Sequence, residues 1–75
     1  MTVNELTETL KDKGYRMTEH ISISNDTFTD YVKGRNLAMT TKKVKGTGET
    51  KVVAIYSNFE EELKEMGIEV GTVLK

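Results

Sequence analysis

The sequence predicts an α+β fold: a small sheet of about four strands with two helices packed on one face. Three observations carry this expectation. Residues 3–10 repeat apolar side chains at helical spacing, residues 15–23 alternate them at a period of two, and a second helical stretch opens near residue 57. ETLKDKGYRM at 8–17 and EELKEMGIEV at 61–70 also share Glu8/Glu61, Leu10/Leu63, Lys11/Lys64 and Gly14/Gly67. In each, the leucine faces inward from the last helical turns and the lysine complements the negative end of the helix dipole. The glycine supplies a left-handed residue and hydrophobes follow. The likeness therefore marks two helix-to-strand junctions rather than a repeated site.

The first helix has a capping box in Thr2 and Glu5, an apolar stripe of Val3, Leu6 and Leu10, and a stop at Gly14. From Tyr15 the period becomes two. Tyr15, Met17, Ile21 and Ile23 point one way, with Glu19 the exception, and Arg16, Thr18, His20, Ser22 and Ser24 point the other. Residues 25–35, NDTFTDYVKGR, support two readings. Asn25 or Asp26 caps a short helical turn carrying Phe28, Tyr31 and Val32 to a stop at Gly34, which is the preferred reading. Alternatively Thr27, Thr29 and Val32 make a strand.

Leu37 to Lys45 reads as a strand with Leu37 and Met39 inward, its end leaving the core through Thr41, Lys43 and Lys45. GTGE at 46–49 is a turn, and Thr50 to Tyr56 returns as the other arm of a hairpin. Val52 to Ile55 is apolar on both faces, which suggests a central position. The second helix starts from Ser57 with Glu60, or Asn58 with Glu61, and buries Phe59, Leu63 and Met66 up to Gly67. Ile68, Val70 and Val73 or Leu74 supply a last short strand.

With 75 residues, the chain is one domain spanning 1–75, with a thin core that a partner or a homodimer contact would help to stabilise. Without cysteine, disulfides and thiolate metal sites are excluded, and a cytoplasmic location is expected. No apolar run is long enough for a membrane helix. The polar, acidic start is unlike a targeting peptide. The net charge of −1 is unevenly spread: residues 1–32 carry −3, residues 33–57 carry +5 and the remainder −3.

Few features suggest chemistry. KGTGETK at 45–51 lacks both the dinucleotide and the P-loop spacing, so it reads as a hairpin turn. EEELKE at 60–65 offers Glu61 and Glu65 on one helix face without an oxygen-rich shell around them, so no metal is expected. His20 is the only histidine, on a polar strand face with no predictable partner, and Glu19 points the other way. The serines lack a nucleophile context. These features predict no enzyme, no catalytic residue and no cofactor.

The basic middle is the stronger lead. Lys42, Lys43, Lys45 and Lys51 crowd a two-stranded ribbon, with Arg35 upstream of it. Such lysines protect an exposed edge, steer an acidic protein surface or displace counterions from nucleic acid. Phe28 and Tyr31 lie in a polar stretch and are either core residues or aromatic anchors for a partner. The preferred reading is a non-catalytic protein–protein interaction module with a protein partner. The alternative is a nucleic-acid-binding accessory protein using the basic hairpin.

MTVNELTETLKDKGY, at the N-terminus, has a hydrophobe–Asn–acid–Leu start, a Leu–Lys pair and a Lys-x-Tyr exit. It resembles the opening of small phage-encoded anti-CRISPR proteins that inhibit Cas9. The resemblance covers about a fifth of the chain, mostly in residues that any capped helix would use. It transfers no binding residue, and the basic segment 33–57 departs from the strongly acidic, DNA-mimicking character of those inhibitors. It implies a small phage or mobile-element regulator or inhibitor of a larger protein machine.

Overall fold

The computed structural model describes residues 1–75. Helix α1, Val3–Asp12, opens on the expected capping box: the Glu5 N–H donates to Thr2 Oγ1 at 3.1 Å, and the Thr2 N–H donates to Glu5 Oε1 at 3.3 Å. Its apolar stripe places Leu6 and Leu10 in full burial. Five strands follow as β1 (Tyr15–Ile21), β2 (Thr27–Lys33), β3 (Asn36–Lys43), β4 (Thr50–Ile55) and β5 (Val73–Leu74). Between β4 and β5 lie a 3₁₀ turn, Ser57–Phe59, and helix α2, Glu60–Glu65. The strands form one antiparallel sheet in the order β1-β2-β3-β4-β5, each paired with its sequence neighbour. No helix is long and apolar enough to cross a membrane.

The fold class is the expected one, with one strand more. The preferred helical turn at 25–35 is replaced by β2 and the turns that flank it. A helix there would leave the facing edges of β1 and β3 without hydrogen-bond partners. The β-branched Thr27, Thr29 and Val32 suit a strand. Gly34 and Arg35 form a two-residue hairpin turn between the paired Lys33 and Asn36, with φ +64° at Gly34 only. A positive φ at the first central residue matches the twist of the flanking strands. Gly14 and Gly67 also carry positive φ just beyond the helix ends, so both helix stops form where the spacing placed them, but only Gly14 leads directly into a strand.

Residues paired directly across strands share a sheet face. Tyr15, Tyr31, Met39, Val52 and Leu74 lie on one face, and both helices cover it: Leu6 and Leu10 of α1, with Phe59 and Leu63 at α2, complete the core together with Ala38 and Ile68. The Tyr15 and Phe59 rings meet edge to face, 6.2 Å apart. Lys33 Nζ lies 5.1 Å from the Tyr15 ring and 3.2 Å from Glu62 Oε1, which ties α2 to the sheet. Burial, with the Glu62 carboxylate beside it, pushes the Tyr15 hydroxyl up to about 12.

Several side chains depart from the simple alternation. β3 bulges opposite Tyr31 and Val32, so Ala38 and Met39 are both buried and Leu37 turns to the other face. Thr41 is buried rather than projecting, and Lys43 and Lys45 past it are solvent-exposed. Ile21 and Ile23, expected on the buried side of β1, are exposed: Ile21 ends the strand and Ile23 lies in the turn beyond it. β4 is interior as expected, paired with β3 and with the two-residue β5, while β3 is the middle strand. Neither Ser57 nor Asn58 caps α2, because both lie inside the 3₁₀ turn. Ile68 is buried outside any strand, Val70 is exposed, and the last strand is only Val73–Leu74. Its outer side meets residues 1–3 through bonds from the Val3 N–H to the Lys75 carbonyl and from the Lys75 N–H to the Met1 carbonyl, each 3.3 Å.

Candidate functional site: the open face of the sheet

The second face of the sheet carries no helix. Register places three rows on it: His20, Phe28, Lys42, Lys51 and Val73; then Thr18, Asp30, Thr40 and Ala54; then Arg16, Val32 and Leu37. A bulge in β4 adds Val53 beside Ala54, and alternation beyond the inward Ile55 continues the surface to Tyr56. Leu37 and Val53 are each 37% exposed, Tyr56 42% and Val73 47%. Their apolar surface is therefore offered to solvent on one continuous side of the molecule.

The first row is knitted together. His20 stacks on Phe28 with centroids 5.5 Å apart and planes 12° from parallel. Lys42, arriving from the strand on the other side of β2, brings Nζ to 5.9 Å from the Phe28 centroid. The ring is thus flanked by imidazole and ammonium, one from each neighbouring strand. Below it, Asp30 accepts from Thr40 Oγ1 at 2.7 Å through one oxygen and meets His20 Nε2 at 3.3 Å through the other. At the rim, Asp26 Oδ1 accepts from the Lys45 backbone N–H at 3.1 Å, and Oδ2 meets Lys42 Nζ at 3.5 Å and the Ser24 hydroxyl at 3.3 Å. The Lys45 N–H, and then Lys42, hold the Asp26 carboxyl below the usual carboxylate range. Asp26 so joins the β1–β2 loop to the β3–β4 hairpin.

The structure divides the residues singled out in sequence. Lys42 and Lys51 are directly paired and point to the open face. Lys43 pairs with Thr50 on the helix-covered face, and Lys45 stands in the exposed loop. Arg35 occupies the β2–β3 turn, while the Arg16 guanidinium donates to the Gly34 carbonyl at 3.0 Å and braces that turn. Tyr31 is 1% exposed and takes its core alternative, so it is unavailable to a partner. Phe28 is partly exposed on the open face. Sequence reasoning gave His20 no partner and passed over Asp30, Leu37 and Arg16. Reading 27–33 as a strand would have set Asp30 and Phe28 on one face by alternation, and register with β1 adds His20 to it.

Charge divides by layer as well. α1 holds three acids and one lysine, and α2 four acids and one lysine, so the helices carry −5. With a total of −1, the sheet and its connections carry +4. No family model, no curated protein and no solved structure matches this chain, so the open face is read from its own residues.

Proposed function

We propose that the protein is a non-catalytic protein-binding module whose contact surface is the open sheet face. The observation that carries this reading is a five-stranded sheet covered on one side only, with Leu37, Val53, Tyr56 and Val73 exposed on the other among Arg16, Lys42 and Lys51. An apolar centre with cationic surroundings is the composition of a protein contact. The nearest thing to catalytic geometry is the His20–Asp30 pair. Thr40 donates to the carboxylate at 2.7 Å, so this hydroxyl is engaged by Asp30 rather than held by the imidazole as a nucleophile. A small regulator or inhibitor of a larger machine, of phage or mobile-element origin, fits a module of this size.

Nucleic acid is the second reading, supported by the exposed aromatic beside paired lysines. Base stacking needs a free aromatic face, and both faces of Phe28 are flanked. Asp26 and Asp30 also offset the charge of this row. The test is affinity capture from the source organism's lysate, with and without nuclease, using the wild type, Leu37→Asp and the helix-face variant Glu61→Lys. The expected result is one protein that survives nuclease, is lost with Leu37→Asp and is retained with Glu61→Lys. Capture that nuclease abolishes would support the second reading, and capture indifferent to Leu37→Asp would refute the surface.

A further inference from the structure

We infer that the occupant of the open face is an acidic amphipathic helix supplied by a partner protein; this rests on the protein-binding reading above. Charge complementarity comes first. On this face and its rim, Arg16, Lys42 and Lys51 outnumber Asp30 and Asp26, the latter 3.5 Å from Lys42, which leaves a small positive excess. A partner that brings carboxylates meets that excess at Lys51, which no carboxylate of this chain contacts.

The covered face shows what kind of segment this sheet accepts. α1 and α2 are both acid-rich, both insert leucines (Leu6, Leu10 and Leu63), and α2 is tied down by the 3.2 Å contact of Glu62 with Lys33. The open face repeats those elements with the helix missing. Val32, Leu37, Val53, Ala54 and Tyr56 form an apolar strip across β2, β3 and β4, and Lys42 and Lys51 stand beside it as Lys33 stands beside the core. A helix of about 12 residues is roughly 18 Å long. Five strands at about 4.8 Å spacing span roughly 19 Å between the outermost axes, so such a helix crosses the sheet. Extra strands would add instead at the β1 edge, which lies outside this apolar strip.

The probe is a fluorescein-labelled peptide of roughly 16 residues, leucine-striped at helical spacing with glutamates on its other sides. Two controls accompany it: a peptide of the same composition with the leucines dispersed, and the striped peptide with lysine in place of glutamate. Anisotropy should show the acidic striped peptide binding about tenfold or more tightly than either control, weakening as salt rises. Amide shifts should centre on β2, β3 and β4. Replacing Lys42 and Lys51 together by Gln, a change at partly or fully exposed positions, should weaken the peptide about tenfold without altering circular dichroism.

Equal binding of the controls would overturn the inference. So would shifts centred on the 320 Å³ hollow lined by Ile55, Glu60, Lys64, Ile68, Glu69 and Val70 on the helix side. The two readings fail separately. If Leu37→Asp loses the cellular protein but the acidic peptide does not compete for it, the helical occupant is wrong and the protein-binding face stands. If Leu37→Asp captures that protein as the wild type does, the face itself is wrong.

Discussion

The Tyr15 hydroxyl lies inside the core without a hydrogen-bond partner, an arrangement that ordinarily costs about 1–3 kcal/mol. Its ring is well used, against Phe59 on one side and under the Lys33 ammonium on another. The oxygen therefore gains little where the ring gains much. Removing only the oxygen, as in Tyr15→Phe, should leave stability at neutral pH unchanged or raise it by up to about 1 kcal/mol. Alkali should separate the two proteins further. The folded hydroxyl is raised to about 12 from an ordinary 10.0, so the unfolded chain ionises first. The stabilisation from keeping that proton is whole below about pH 10 and is lost as the pH climbs towards 12. Urea midpoints at neutral pH and across the alkaline range should show the wild type weakening more steeply than Tyr15→Phe. A wild type clearly more stable than the variant at neutral pH would mean that the hydroxyl has a partner, with Glu62 the first candidate.

Helix starts show how the same local pattern diverges in the folded chain. Thr2 with Glu5, Ser57 with Glu60 and Asn58 with Glu61 all have capping-box spacing, yet only the first pair bonds reciprocally. Tyr56 is held to β3 through its N–H to the Ala38 carbonyl at 3.0 Å, and the chain then enters a 3₁₀ turn that consumes Ser57 and Asn58. Thr2→Ala should therefore cost about 1 kcal/mol and Ser57→Ala close to nothing, read as thermal midpoints of the two variants. Equal losses would show that Ser57 caps α2 in solution. The same contrast explains what could be read from the residues. Both helices, the hairpin of β3 with β4 and the glycine stops follow from spacing and turn chemistry, which are local. β2 is only the alternative reading of 25–35 because Phe28, Tyr31 and Val32 fit a helix face as well as a strand, and only pairing with β1 and β3 decides between them. Leu37 was turned outward by a bulge, a tertiary feature without a local signature. For the site, the lysines were legible as a cluster, but their division between two faces depends on register.

At the scale of the whole molecule, a sheet covered on one side has two apolar surfaces with opposite duties. The core side gathers eleven buried hydrophobic residues, few enough that each large one matters. Leu63 is fully buried in α2 beneath this face, so Leu63→Ala should cost about 2–5 kcal/mol, a large part of the stability of a domain this small. Leu37 is of the same residue type on the opposite side and is 37% exposed, so Leu37→Asp removes only part of the packing that Leu63→Ala removes. Its effect on folding should stay within about 0.5–1 kcal/mol while it places a carboxylate amid the apolar strip that binding would cover. The pair separates the two duties. In thermal unfolding, Leu63→Ala should fall by many degrees and Leu37→Asp by few; in partner capture, the order should reverse when both are assayed below their melting points. A Leu37→Asp protein that unfolds like Leu63→Ala would make the second face part of the core, covered in solution by something that belongs to the folded state. Stability retained with binding lost would show that the helices and the core hold the sheet in shape so that its other face can be left open.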